Sequence, residues 1–169
     1  MKIILILGFL AISLTSFSQC EILNRVSPDR SMMYYMKPVV FYKTTATELK
    51  GNVVTDKENY FLELQPRPFP VKSDGKNLNG DLEIKLSNGY VYKLSHYDTR
   101  YMQHDSVMEL LYLVDKKQID NLQKYEVNQV KIDMNGKEGF RTYVFKLHKA
   151  AIREQLNCFL KEFAGKKKK

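Results

Sequence analysis

Residues 81–98 read DLEIKLSNGYVYKLSHYD, and the register of this stretch decides what kind of fold the chain adopts. If Ser87-Asn88-Gly89 is a three-residue loop with Gly89 in the left-handed region, Leu86 faces Tyr90, Ile84 faces Tyr92 and Leu82 faces Leu94. A two-residue Asn-Gly turn would instead set Ile84 against Lys93 and Glu83 against Leu94, mixing apolar and charged side chains on both faces. The longer loop is therefore expected. It leaves Glu83, Lys85 and Lys93 in water, the pattern of an antiparallel sheet with one wet side.

Downstream of the hairpin, Val107–Val114 is a nearly continuous apolar run, as a central strand requires. Asp115 then caps a short helix, with Gln118 completing a capping box and Ile119 and Leu122 facing inward. Val130, Ile132 and Met134 alternate as the next strand, NGKEG (135–139) turns the chain, and Phe140–Leu147 returns it. A final helix is predicted over Lys149–Ala164, stopped by Gly165.

Upstream, Val39–Thr47 is rich in β-branched and aromatic residues and reads as a strand. Gly51–Glu58 reads as a polar break and Asn59–Leu64 as a second strand. Pro66, Pro68 and Pro70 cannot donate to a ladder, so the segment after Leu64 must be an edge or a surface loop. MMYYM (32–36) is a short strand or a cover over the core. The sum is an α+β domain: a mostly antiparallel sheet of about seven strands, a short helix, and a C-terminal helix packed on one face. A two-sheet β-sandwich is the competing architecture.

The first residues are set apart from this domain. Lys2 precedes an apolar run from Ile3 to Leu14, and Ser16-Phe17-Ser18 supplies the small-x-small pattern of a signal-peptidase site. About a dozen apolar residues cannot span a hydrocarbon core of roughly 30 Å. Residues 1–18 are thus expected to be a leader, 19–37 an N-terminal segment, 38–165 a single domain and 166–169 a basic tail. Cleavage after Ser18 gives a freely exported protein, periplasmic or secreted. A lipoprotein would need Cys20 at the new terminus after a small residue, and bulky Gln19 stands there instead; lipid anchoring at Cys20 is the alternative.

In an oxidising compartment both cysteines are able to pair. Ile152, Leu156, Phe159, Leu160 and Phe163 form the apolar stripe of the last helix. At about 100° per residue, Cys158 points roughly 140° away from the middle of that stripe. Cys158 is a candidate partner for Cys20, and the other reading is an exposed, unpaired thiol.

The formal charge of +8 is concentrated at the ends. Lys2 and Lys166–Lys169 account for five of the 27 basic residues, leaving 22 against 19 acidic ones and a body of about +3. A nucleic-acid-binding domain carries its basic residues as a patch on folded elements, so specific nucleic-acid binding is not expected. Membrane contact would come only through a lipidated Cys20 or through the Lys166–Lys169 tail, by attraction to anionic surfaces.

Chemistry-bearing motifs are sparse. His96, Asp98, His104 and Asp105 lie together in HYDTRYMQHD (96–105) and form the candidate polar loop, read as a link between strands. Their spacing matches no standard metal site, so no metal is assigned. No Gly-x-Ser-x-Gly elbow occurs, Cys158 has no His neighbour in sequence, and no catalytic residue or cofactor is assigned. Glu48 with Asp56, or Glu58 with Glu63, would matter only if folding set them about 5 to 9 Å apart. Tyr34, Tyr35, Tyr42, Tyr60, Tyr90, Tyr92, Tyr97 and Tyr101 crowd the strand region, where sheet composition and a binding platform both use tyrosine.

The SFSQ leader ending (16–19), the LEIKLSNGYVYKL hairpin (82–94), and the strand leading into VDKKQIDNLQKYEVNQVKI (114–132) together resemble the small exported β-rich proteins of uncharacterised function in Gram-negative envelopes. The resemblance implies an exported α+β domain and brings no activity or site residue with it. The expected function is a non-enzymatic module binding an envelope protein, peptide or glycan. The alternative is a hydrolase or metal-dependent enzyme working through the His96–Asp105 loop.

Overall fold

The computed structural model describes residues 20–27, 30–70, 78–134 and 139–164. The expected leader, the Gly165 helix stop and the Lys166–Lys169 tail lie outside the described residues, as does most of the NGKEG turn. The chain is an α+β domain. Among the described residues eleven strands and two helices follow in the order β1 (Leu23–Val26), β2 (Met32–Tyr35), β3 (Val39–Lys43), β4 (Glu48–Thr55), β5 (Tyr60–Arg67), β6 (Leu82–Leu86), β7 (Val91–Leu94), β8 (His96–Met102), β9 (Val107–Val114), α1 (Lys116–Leu122), β10 (Val127–Asp133), β11 (Phe140–Val144) and α2 (Ala151–Ala164).

All strand pairs are antiparallel, and they form two sheets rather than the one expected. The larger has seven strands in the order β1-β2-β4-β5-β9-β8, with β3 also pairing β4; the smaller runs β11-β10-β6-β7. Leu49, Leu62, Leu64, Leu110 and Tyr112 of the first meet Leu82, Ile84, Val130, Ile132 and Tyr143 of the second in one core, joined by Ile152, Leu156 and Phe159 of α2. Phe41 and Phe145 stack across it with ring centroids 4.2 Å apart. The architecture thus takes on part of the sandwich alternative.

The decisive hairpin has the expected register. Leu82 faces Leu94 and Ile84 faces Tyr92, Gly89 has φ +88°, and the Leu86 N–H donates to Tyr90 O at 2.9 Å across the loop. The α1 cap is also as read. Asp115 accepts from the Gln118 N–H at 2.8 Å, and the Gln118 side chain accepts from the Asp115 N–H at 2.7 Å.

Three expectations fail, each for a visible reason. Gly51–Glu58 is no break: residues 51–55 belong to β4 and are buried. Gly51 reads as a turn residue, yet its role is close approach. A Cβ there would stand 2.5 Å from the Glu63 carbonyl oxygen. The true turn is Asp56–Asn59, where Asp56 accepts the Glu58 and Asn59 N–H groups at 2.8 and 2.6 Å. Second, β5 does not end at Leu64 but runs on through Pro66 to Arg67, while the expectation of an edge at the proline segment holds. Its ladder with β9 stops at Leu64, so Pro66 faces an unpaired edge on that side, where its missing N–H costs nothing.

The third failure matters most for function. The link from His96 onward is a strand, β8, paired with β9 over most of its length. Its charged residues escaped a strand reading, and Asp98 with Arg100 neutralise each other at 2.6 Å on the sheet surface.

One edge of β4 is shared. β3 pairs Glu48–Gly51 and β2 pairs Val54–Thr55, leaving Val53 in the gap. Gln155 of α2 fills it, its Oε1 accepting the Val53 N–H at 2.7 Å while its Nε2 donates to Lys37 O at 3.4 Å. The helix is also tied covalently to the start of the described chain, because Cys20 and Cys158 form a disulfide.

Candidate functional site

Strand alternation places Phe61, Glu63 and Gln65 of β5 on the face of the larger sheet turned away from the shared core, with Glu109 and Leu111 of β9 on the same side. The N-terminal segment, whose MMYYM stretch reads as a short strand or a cover over the core, joins this sheet through β2. It also folds over the sheet's outer face. Arg25 on β1 reaches Glu63 and Glu109, three and four strands away in the sheet order. At about 4.8 Å per strand a flat sheet would hold them roughly 14 to 19 Å apart. Met33, directly opposite Arg25, is buried with Val54, Phe61 and Leu111 beneath the β1–β2 hairpin.

Arg25 is the clasp. Its Nη2 donates to Glu63 Oε2 at 2.7 Å and to Glu109 Oε2 at 3.0 Å, and its Nη1 donates to Glu109 Oε1 at 3.2 Å. Gln65 Nε2 lies 3.2 Å from Glu63 Oε1 and 3.4 Å from Glu109 Oε1. Tyr35 offers its ring face to the Arg25 guanidinium, 5.2 Å from the centroid.

Both carboxylates are deep, Glu63 at 1% exposure and Glu109 at 4%. Burial, and then the neighbouring Glu109 charge, push the Glu63 carboxyl up to about 7 against the pull of Arg25. Burial works against the Arg25 charge too, but the two carboxylates outweigh it and raise its pKa.

A cleft of about 340 Å³ opens over this cluster, walled by Tyr35, Lys50, Gln65, Met102, Gln103 and Val107. Asn52 lies directly across the β4–β5 ladder from Glu63, so its amide rises from the same face beside that carboxylate. It has 0% exposure, and neither its Oδ1 nor its Nδ2 has a hydrogen-bond partner.

The residues singled out from sequence are dispersed. His96 opens β8 and His104 lies in the turn beyond Met102, so about 20 Å of strand separates them. His96 bonds locally: Thr99 Oγ1 donates to Leu78 O at 2.6 Å and therefore accepts from His96 Nε2 at 2.8 Å. Burial lowers the His96 pKa, with Asp98 and Asp81 pulling the other way. Asp98 pairs with Arg100, while Gln103, His104 and Asp105 form an exposed turn, all three at positive φ. Among the described residues no three His, Cys, Asp or Glu side chains converge as a metal site.

The carboxylate pairs are likewise apart. Glu48 bonds Lys50 and Lys43, Asp56 caps its turn, and Glu58 is exposed, while the partner of Glu63 is Glu109. The tyrosines serve separate contacts: Tyr34 on Phe163, Tyr42 on Tyr143, Tyr97 on Phe61, Tyr101 near Phe69, with Tyr60 in the core. Tyr90 and Tyr92 stand edge to face with ring centroids 6.3 Å apart.

No family model, curated protein or solved structure matches this chain. The site therefore rests on its own geometry. A single charge in each of the apolar runs YFLELQ (60–65) and VMELLYLV (107–114) was the available signal, since a carboxylate buried in a strand must find a cation. Nothing in sequence ties those two to Arg25, because the folded-over hairpin is a tertiary arrangement.

Proposed function

We propose that this protein is an exported module of the cell envelope, kin to the small β-rich envelope proteins its sequence resembles, that holds a ligand group in the cleft over Glu63 and Glu109 without transforming it. Export is supported by the Cys20–Cys158 disulfide, which persists in an oxidising compartment. The same bond occupies the Cys20 sulfur that a lipid anchor would need, favouring the periplasmic or secreted form over the lipidated one. No helix among the described residues is long and apolar enough to cross a membrane.

One observation carries the binding reading: a cleft whose floor is a buried ion cluster carried on paired strands. Preformed clefts with a few converging polar groups are where ligands bind. Arg25 and Gln65 hold both carboxylates in directed hydrogen bonds, an arrangement suited to recognition. Envelope peptides, proteins and glycans are the partner classes.

Amide NMR of the mature protein, titrated separately with peptide and glycan fractions of the envelope, tests this. Saturable shifts confined to Arg25, Tyr35, Gln65 and Gln103 are expected from one fraction. Shifts scattered over the surface, or none, would remove the binding role.

A further inference from the structure

We propose that the β1–β2 hairpin is a strap that lifts off the larger sheet while the rest of the fold stays intact, and so opens and closes one wall of the cleft. Arg25 and Tyr35 of the hairpin form that wall, and the sheet supplies the opposite one through Lys50, Gln65 and Val107. Strap movement changes the cleft with or without a ligand in it. The inference therefore stands independently of the binding reading.

The strap is held firmly at its root and lightly along its arm. At the root, Cys20 is bonded to Cys158 just ahead of β1, and the Tyr34 ring meets Phe163 with centroids 5.2 Å apart. Among the described residues, only Tyr34 and Tyr35 pair β2 with the sheet, opposite Thr55 and Val54. Beyond them the arm makes no ladder with β5 or β9, and a two-stranded hairpin on its own is marginal in water. Its apolar anchor is small. Met33 packs with Val54, Phe61 and Leu111 in a cluster separate from the core between the sheets.

Closure also strands polar atoms. On the covered face of β4, Asn52 lies between Lys50 at the cleft rim and Val54 under Met33, while Ser27 follows Arg25 by two residues on the arm. Both side chains are buried, and among the described residues Ser27 Oγ, Asn52 Oδ1 and Asn52 Nδ2 have no hydrogen-bond partner. Lifting the strap lets water reach them, so their burial works against closure. What holds the arm down is Met33 and the Arg25 clasp, one guanidinium on two carboxylates.

Protons bear on the same balance. Around Glu63 stand Arg25 and Tyr35 of the strap, Lys50 of β4, and Glu109 of β9, with Arg100 across the ladder from Glu109 and bonded to Asp98. Burial is the largest influence keeping the Glu63 proton up to about pH 7, ahead of the Glu109 charge, and together they outweigh the pull of Arg25. Lifting the strap relieves that burial and returns the carboxyl toward its ordinary range. The contribution of this proton to closure is fully present below about 4.5 and is lost as pH rises through about 7.

Amide hydrogen exchange of the mature, disulfide-intact protein at pH 6 and pH 8, corrected for intrinsic rates, tests this. Hydrogen-bonded amides of β1 and β2 are expected to exchange about tenfold or more faster than those of β5 and β9. Their protection should fall from pH 6 to pH 8, and Glu63→Gln should abolish that fall. Arg25→Met should cut the protection of β1 and β2 by about tenfold or more while β6 and β10 stay folded and protected. Ser27→Ala removes an unpartnered hydroxyl and should slow exchange in both hairpin strands.

Wild-type β1 and β2 amides as protected as those of β5 and β9 overturn the proposal. So does an Arg25→Met protein whose hairpin loses protection only together with β6 and β10, or exchange indifferent to both Arg25→Met and Ser27→Ala. A fall with pH that persists in Glu63→Gln overturns it as well.

Discussion

Arg25 reaches across the sheet to Glu63, Nη2 to Oε2 at 2.7 Å, and thereby fastens the β1–β2 hairpin onto strands it does not pair with. The contact unites an energetic and an architectural role. Breaking a buried ion cluster by removing one partner costs more than replacing the whole cluster with apolar side chains, because the remaining charges stay stranded.

Arg25→Met should therefore destabilise the protein by about 3 to 5 kcal/mol in urea unfolding at pH 7.5. The triple variant Arg25→Met/Glu63→Leu/Glu109→Leu should recover most of that loss. Equal losses in both variants would show that the ion cluster is not what clamps the hairpin.

The Glu63 carboxyl gives stability a defined pH slope. Its pKa in the folded protein is about 7 against an ordinary 4.5, so the folded state retains a proton that the unfolded chain has released. The contribution of Glu63 to stability is fully present below about 4.5 and is lost as pH rises through about 7. Chemical unfolding between pH 4 and 8 should show this decline in the wild type and a flatter profile in Glu63→Gln. A stability that rises over this range because of Glu63 would contradict the assignment.

The disulfide closes a loop with a sequence separation of 138 residues. Limiting the unfolded chain in this way stabilises the fold by about 2 to 5 kcal/mol, so Cys158→Ser should lower the urea midpoint and render added reductant without effect. Thiol titration of the denatured wild type before reduction should detect no free cysteine.

Gly51→Ala tests the reading of β4. The added methyl would meet the Glu63 carbonyl oxygen at 2.5 Å and Leu64 Cδ2 at 2.8 Å, and a backbone atom cannot swing aside as a flexible side chain does. A loss of about 1 to 3 kcal/mol is expected, together with weakened exchange protection at Glu63 and Leu64. A neutral outcome would mean that β4 and β5 separate more easily than the ladder implies.

Legibility from sequence followed locality. Leu82–Leu94 and the Asp115–Gln118 cap were readable because their partners lie within a few residues and side-chain alternation or capping chemistry fixes them. The stripe Ile152, Leu156, Phe159 on α2 was readable for the same reason. Gly51 and Asn52 misled because turn and close-approach roles use the same residues. His96–Met102 misled because a strand on a solvent-facing edge carries charges that resemble a loop's. The site was the least legible part. Arg25, Glu63 and Glu109 are brought together only when the hairpin folds back, and Glu109 stood as a lone charge in an apolar strand without an evident counterpart.

The bond between Cys20 and Cys158 also governs how the molecule meets a protease. A cut at any single peptide bond between those positions leaves two fragments that remain one covalent species, held by sulfur and by the strands on either side of the break. Such nicking would pass unseen on a non-reducing gel and show only after reduction. This ring-like closure keeps a clipped copy together as one molecule.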